Sequence, residues 1–305
     1  MEYEHQPVML KEVLDFLAVK KGGRYIDCTL GGAGYTSELA KRVGEKGEVM
    51  SLDLDQNAID NARRKLTSEN LNNVQLVLGN FKNLTALYQQ NFNDSKGVDG
   101  IVLDLGLSSF QLADTKRGFS FQNDCPLDMA FGPEIEISTK QIVNHYPLLE
   151  LTRIFRDYGE EKRAYYLAKA IVEARRKKPI ETTQDLVEII VAHSPKRFHT
   201  KINPATKVFQ ALRMETNQEL ENLQAVLPAA VELLKPKGKL VVVSFHSGED
   251  RIVKQFFKNS PNLQILTKKP LVPEMEEIKN NPRARSAKLR AAAKEEKKES
   301  TEADN

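Results

Sequence analysis

The sequence predicts an α/β fold, a doubly wound parallel sheet interrupted by an inserted all-helical segment. Three observations predict it. Short β-branched runs alternate with helical patterns through the first third of the chain. Strand signals then stop between about Ser138 and Met214, where only helical periodicity is found, and they return at 239–245 (KLVVVSF). Strands separated by helices imply right-handed crossovers and a parallel sheet.

Each element has a local reason. Residues 24–30 (RYIDCTL) form an apolar run bounded by turn glycines, a buried strand. A helix follows over 35–43. Residues 48–54 (EVMSLDL) and 74–78 (VQLVL) are the second and third strands, with a helix over 56–66 between them, and 98–105 (VDGIVLDL) is the fourth. In the helical stretch Ala164, Leu167, Ala168, Ile171 and Val172 fall at i, i+3, i+4, i+7 and i+8, one apolar helix face. Thr182 or Thr183 caps the next helix, which runs to about His193. Asn203-Pro204 reads as an N-cap followed by proline at the first helical position. Pro236 and Gly238 stop a helix that ends near Leu234. A helix over 249–258 and a weak strand over 263–267 complete the set. The expected organisation is a first sheet part at 1–134, a helical insertion at 135–213 for substrate recognition, a second sheet part with a basic tail at 214–294, and a disordered charged tail at 295–305.

Composition excludes several classes. The 305 residues allow about two domains. With 40% hydrophobic and 29% charged residues, a core forms without metal or disulfide staples. The two cysteines, Cys28 and Cys125, are far apart with no CxxC, so no metal site is expected and a reducing cytoplasm fits. Apolar runs such as 240–245 are far too short to span a membrane, and 1–11 lacks the apolar stretch of a secretory signal. The 45 basic and 42 acidic residues leave a net charge of only +3, so any nucleic-acid surface must be a local patch.

The strand at 24–30 runs into Gly31-Gly32-Ala33-Gly34 and then a helix. Small residues there let a ligand approach the backbone and the N–H groups of the helix start. The pattern is not GxGxxG, so the dinucleotide fingerprint is absent. Asp53 ends the second strand about twenty residues beyond the loop, where Rossmann-like sheets hold ribose hydroxyls. Asp27 and Asp104 sit near the carboxyl ends of the first and fourth strands. Buried acids there are costly unless paired or functional. They suit the positive sulfur and ammonium of S-adenosylmethionine, and Asp27 reads equally as a loop tether.

Further stretches join these: His5-Gln6-Pro7-Val8-Met9, 27–34 (DCTLGGAG), 103–109 (LDLGLSS), 117–121 (RGFSF), 126–129 (PLDM), 158–161 (YGEE), 204–206 (PAT), 209–213 (FQALR), 244–247 (SFHS), 249–251 (EDR) and 281–286 (NPRARS). Together they resemble the ribosomal RNA small subunit methyltransferase H family, bacterial enzymes that methylate N4 of a cytidine in the decoding region of 16S rRNA. The resemblance runs from about residue 5 to residue 291. It implies a Rossmann-like S-adenosylmethionine methyltransferase sheet, a small ribosomal subunit as partner, and cofactor contacts at Ala33, Gly34, Tyr35, Asp53, Phe81, Asp104 and Gln111. The chain departs from the family at Tyr35, Phe110, Asn203 and Gly248, where histidine, proline, histidine and leucine are usual.

Cytosine N4 is a weak nucleophile, so in-line proximity to the methyl group is expected to supply most of the rate. Asp104 is the candidate for positioning cofactor and amine. His246, after the strand at 239–245, either meets the target base or its released proton, or simply fixes the Glu249-Asp250 loop. No cysteine lies in the fourth-strand motif, which excludes C5 methylation of cytosine. For RNA, one basic run is Arg175, Arg176, Lys177 and Lys178, a second is Lys196, Arg197, His199 and Lys201, and a third spans Lys279, Arg283, Arg285, Lys288, Arg290 and Lys294; Arg213 joins them through its motif. The target base must leave its stack for N4 to react. The competing readings are a methyltransferase of DNA or protein, an RNA-binding assembly factor that keeps the fold without turnover, and a dehydrogenase.

Overall fold

The computed structural model describes residues 7–92, 94, 96–108, 111–112, 114–195 and 203–296. The chain divides into two compact units, Met1–Gly106 with Leu220–Asn305, and Leu107–Glu219. Among the described residues no helix is long and apolar enough to cross a membrane.

The first unit opens with α1 (Leu10–Leu17), β1 (Arg24–Asp27), α2 (Gly34–Val43), β2 (Glu48–Asp53), α3 (Gln56–Ser68), β3 (Val74–Leu78), α4 (Leu84–Phe92) and β4 (Val98–Asp104). The second unit holds α5 (Thr139–His145), α6 (Leu148–Asp157), α7 (Ala164–Arg175), α8 (Thr183–Ala192) and α9 (Thr206–Asn217). The chain returns through α10 (Glu219–Leu233), β5 (Leu234–Ser244), α11 (Ser247–Asn259), β6 (Leu263–Ile265), α12 (Met275–Asn280) and β7 (Lys288–Lys294).

The sheet order is β3-β2-β1-β4-β5-β7-β6. The first five strands are parallel, and β7 pairs antiparallel with both β5 and β6. Because side chains alternate along a strand, each central strand feeds two cores. Ile101 and Leu103, with Leu240 and Val242, pack toward Leu84, Leu223, Leu227 and Phe257. Val102, with Val241 and Val243, packs toward Val13, Leu17, Leu39 and Val43.

Three sequence expectations change here. β5 begins directly after α10, so Pro236 and Gly238 lie inside the strand rather than before it. Leu234 pairs with Val98, the register slips, and pairing resumes at Lys239 with Gly100; Lys237 takes left-handed backbone in between (φ 64°). β7 lies in the stretch read as a basic tail. Its charges hid a buried run, Leu289 to Ala293. Arg290 Nε donates to Asp250 Oδ1 at 2.7 Å, and Lys294 Nζ donates to the carbonyls of Glu232 and Leu234 at 2.9 and 2.6 Å. Those cations tie β7 to α11, to the end of α10 and to the start of β5. The start of the expected disordered tail is also held: Glu295 N–H donates to Asn262 O at 2.8 Å, and Glu296 pairs with Lys237 at 2.8 Å. Residues 297–305 lie outside the described residues.

The second unit is wider than the insertion expected at 135–213. Residues between Leu107 and Ser138 carry little regular structure, yet Phe119, Leu127 and Met129 enter the helical core with Ile154, Phe155, Leu167, Ile171 and Leu186. Polar ties hold them. Asn217 Nδ2 donates to Met129 O, and its Oδ1 accepts from Phe131 N–H, both at 2.8 Å. Thr182, not Thr183, caps α8, in a reciprocal pair with Asp185; Thr183 Oγ1 instead donates to Asn123 O at 2.9 Å. Asn203-Pro204 does not start α9. Asn203 Oδ1 accepts from Ala205 N–H at 2.8 Å, and Ala205 is the N-cap.

Candidate active site

The strand order reverses between β1 and β4, and such a switch point opens a crevice at the carboxyl ends of the strands. The β1–α2 turn forms one wall. Gly31 and Ala33 take left-handed backbone, φ 46° and 58°, and Ala33 N–H donates to Leu30 O at 2.7 Å. Ala33 supplies no side-chain cap to α2; the Thr36 N–H is taken by Asp27, which leaves the N–H groups of Gly34 and Tyr35 for a ligand. A Cβ on Gly34 would stand 2.5 Å from Pro7 Cγ, so only glycine fits beneath that proline. Tyr35 points into the core, where its hydroxyl donates to Val8 O. It therefore has only its backbone to offer.

Four acids surround the turn. Asp53 Oδ2 accepts from Gly31 N–H and Oδ1 from Asp55 N–H, both at 2.9 Å. Burial still raises its pKa to about 6, because the two N–H donors only partly offset desolvation. Asp27 is fully buried. It accepts from Thr29 N–H at 3.1 Å and from Thr36 Oγ1 at 2.7 Å, which makes it the tether of the turn. Thr29 Oγ1 in turn accepts from Asp104 N–H at 2.7 Å, linking β1 to β4. Asp104 Oδ1 is buried with no hydrogen-bond partner among the described residues. Burial, then Asp27 and Glu249, push its pKa well above the ordinary carboxylate range. A buried orphan oxygen facing two other acids is costly in the free protein and fits a cationic ligand.

The fourth acid, Glu249, was not singled out from sequence as a site residue. It is buried at the start of α11, and Oε2 accepts from Phe245 N–H at 2.8 Å. His246 is the N-cap of that helix. Its Nδ1 accepts from Glu249 N–H at 3.3 Å, and Nε2 lies 3.1 Å from Glu249 Oε1. Nδ1 thus holds the loop, whereas Nε2 is buried without a hydrogen-bond partner among the described residues. Only the proximity of β4 and β5 reveals that Glu249 acts on Asp104.

The other sequence-named residues divide. Phe81 opens a single turn after β3 and packs half-buried on the sheet core. Gln111 belongs to the second unit, where its Oε1 accepts from Ser108 N–H at 3.0 Å. Phe110 lies outside the described residues, as do His5, Gln6 and the run Lys196, Arg197, His199 and Lys201. Arg175 donates to the carbonyls of Val143 and Tyr146 at 2.6 and 2.7 Å, closing the end of α5. Arg213 makes a bidentate pair with Glu219, at 2.7 and 2.9 Å. Both were expected to face RNA, and both are instead engaged within the second unit. Arg176, Lys177, Lys178, Arg283 and Arg285 are exposed.

A sheet wound this way, with acids gathered where a ribose and a positive charge must sit, is that of an S-adenosylmethionine-dependent methyltransferase. Residues 2–295 match the model of the MraW methylase family, and the chain belongs to that family. Proteins named ribosomal RNA small subunit methyltransferase H align along nearly its whole length. The one from Carboxydothermus hydrogenoformans is 44% identical over 96% of this chain and 99% of its own. The one from Thermomicrobium roseum is 46% identical over 94% and 93%. Among solved structures, an rRNA methylase from Streptococcus thermophilus aligns at 11% identity over 96% of this chain and 99% of its own, with a TM-score of 0.46.

The Asp53 geometry carries its own prediction. Asp53 is expected to hold the ribose hydroxyls, and only its ionised carboxylate can accept from both. With a free pKa of about 6, the Asp53 contribution to cofactor affinity should be full above that pH and fall as pH drops through it. Asp53→Ala should weaken binding by about 1–3 kcal/mol and lose that step. Calorimetric titration across the range checks both; unchanged affinity removes Asp53 from the site.

Proposed function

We propose that the chain methylates the exocyclic N4 amine of a cytidine in the decoding region of 16S ribosomal RNA, on the small ribosomal subunit in the cytoplasm. The observation that carries this reading is the near-full-length identity, across both compact units, to relatives named for small-subunit ribosomal RNA.

When bound, S-adenosylmethionine supplies an electrophilic methyl group on a positively charged sulfur. The residues of this chain do the rest. The backbone of Ala33, Gly34 and Tyr35 holds the methionyl end. Asp53 holds the ribose, and Phe81 packs on the adenine. Asp104, kept short of partners by the fold, faces the positive charge and orients the amine. Methyl transfer needs no base beforehand, because the amine becomes acidic only once methylated. His246, with Nδ1 held by Glu249 N–H, shapes the loop and leaves the proton to water.

Labelled methyl transfer onto small subunits, followed by nucleoside analysis, tests the reading. N4-methylcytidine is the expected product. Label on any other nucleoside, or on protein, refutes it.

The exposed cations make a separate prediction. Replacing Arg176, Lys177 and Lys178 with Ser should weaken RNA binding and reduce the salt slope by about 1 for each phosphate that is no longer neutralised. Cofactor affinity should not change. An unaltered slope would make these residues an ordinary solvated face.

A further inference from the structure

The exposed face of α7 carries more than charge. Tyr165 and Tyr166 stand in its first turn, 48% and 64% exposed, although the same turn buries Ala164 and Leu167. Their rings meet edge to face, with centroids 5.9 Å apart. The Arg163 guanidinium lies 5.7 Å from the Tyr166 centroid. That arginine is anchored from below, because Nη1 donates to His193 O at 2.8 Å. Three flat groups are therefore held together at the surface, outside the core of the unit.

The cations share this face. From the tyrosines, helical spacing leads to Lys169 and then Glu173, and the turn just past the end of α7 carries Arg176 and Lys177. The acid in this series, Glu173, is paired with Lys169 at 3.7 Å. At about 1.5 Å per residue the track is roughly 16 Å long. Flat rings at one end and cations along the rest match a single nucleic-acid strand, whose bases stack while its phosphates follow the charge. A duplex hides its base faces and a membrane offers none.

We propose that the exposed face of α7 and the turn that follows it are a docking track for single-stranded substrate RNA, with Tyr165 and Tyr166 stacking unpaired bases and Lys169, Arg176 and Lys177 following the phosphates. This rests on the RNA reading above and adds what the basic run alone lacks, an interaction that requires unstacked bases.

The chain has eight tyrosines and no tryptophan, so tyrosine emission can be read directly. Parent protein, Tyr165→Ala/Tyr166→Ala and Tyr165→Phe/Tyr166→Phe are titrated with oligoadenylate across a range of salt. The parent should bind with quenching of tyrosine emission. The alanine pair should bind about tenfold or more weakly, lose part of the quench, and keep the parent's salt slope. The phenylalanine pair should keep the parent's affinity. Circular dichroism checks that both variants are folded. An alanine pair that binds as tightly as the parent overturns the track while leaving the RNA reading intact. So does a phenylalanine pair that weakens as far as the alanine pair, because stacking does not need the hydroxyl. A parent that binds neither oligoadenylate nor small subunits overturns both.

Discussion

Asp104→Ala is expected to slow methyl transfer by at least about tenfold, equivalent to about 1.4 kcal/mol of barrier. Asp104 ends β4 at the switch point, and its Oδ1 lies buried without a hydrogen-bond partner among the described residues. Burial and the neighbouring Asp27 and Glu249 keep its pKa high in the free protein. A bound positive charge reverses that balance and favours the ionised form. Cofactor binding should therefore release a proton and strengthen as pH rises toward the raised pKa. The decisive measurement is single-turnover methylation with cofactor and subunits saturating, so that weak binding does not pass for slow chemistry. His246→Ala should cost less rate, since water can accept the late proton. It should cost about 1 kcal/mol of stability through loss of the α11 cap. A larger chemical defect for His246→Ala than for Asp104→Ala would make the histidine the principal group.

Arg213→Ala is expected to destabilise the protein by roughly 3 kcal/mol. The pair it forms with Glu219 is bidentate, with side chains only 14% and 9% exposed. Removing the arginine takes the counter-ion from a carboxylate that water barely reaches. Arg176→Ala, on an exposed side chain, should change stability by no more than about 0.5 kcal/mol. Urea unfolding of the two variants separates these roles. If Arg213→Ala keeps the parent's midpoint and loses RNA affinity instead, Arg213 is a phosphate ligand after all.

Much of the first unit was legible because a central parallel strand buried on both faces is a nearly continuous apolar run, as β4 is from Gly100 to Leu103, and the edge strand at 74–78 is apolar enough to be read beside it. The glycine turn and Asp53 were legible for a similar reason. A turn whose backbone passes through left-handed geometry at Gly31 and Ala33 tolerates few residue types, and Asp53 at the end of β2 is tied to it through Gly31 N–H. β7 was not legible. Lys288, Arg290 and Lys294 look like a surface run until Asp250 and the carbonyls of Glu232 and Leu234 are brought beside them. The packing of Met129 and Phe131 was hidden in the same way, because their stretch has no period to read and Asn217 reaches them from far along the chain.

By itself, the sequence determined the βα alternation, the cofactor turn, the acids at the strand ends and the resemblance to a methyltransferase family. These depend on residue type and on short separations along the chain. Tertiary structure alone decided which charges are available. Arg175, Arg213, Arg290 and Lys294 are engaged within the protein, whereas Arg176, Lys177 and the two tyrosines of α7 stand exposed. It also decided that His246 caps a helix and that Glu249 bears on Asp104. The physical reason is the same throughout. A charge acts through what lies within a few ångströms of it, and those neighbours come from segments that folding brings together.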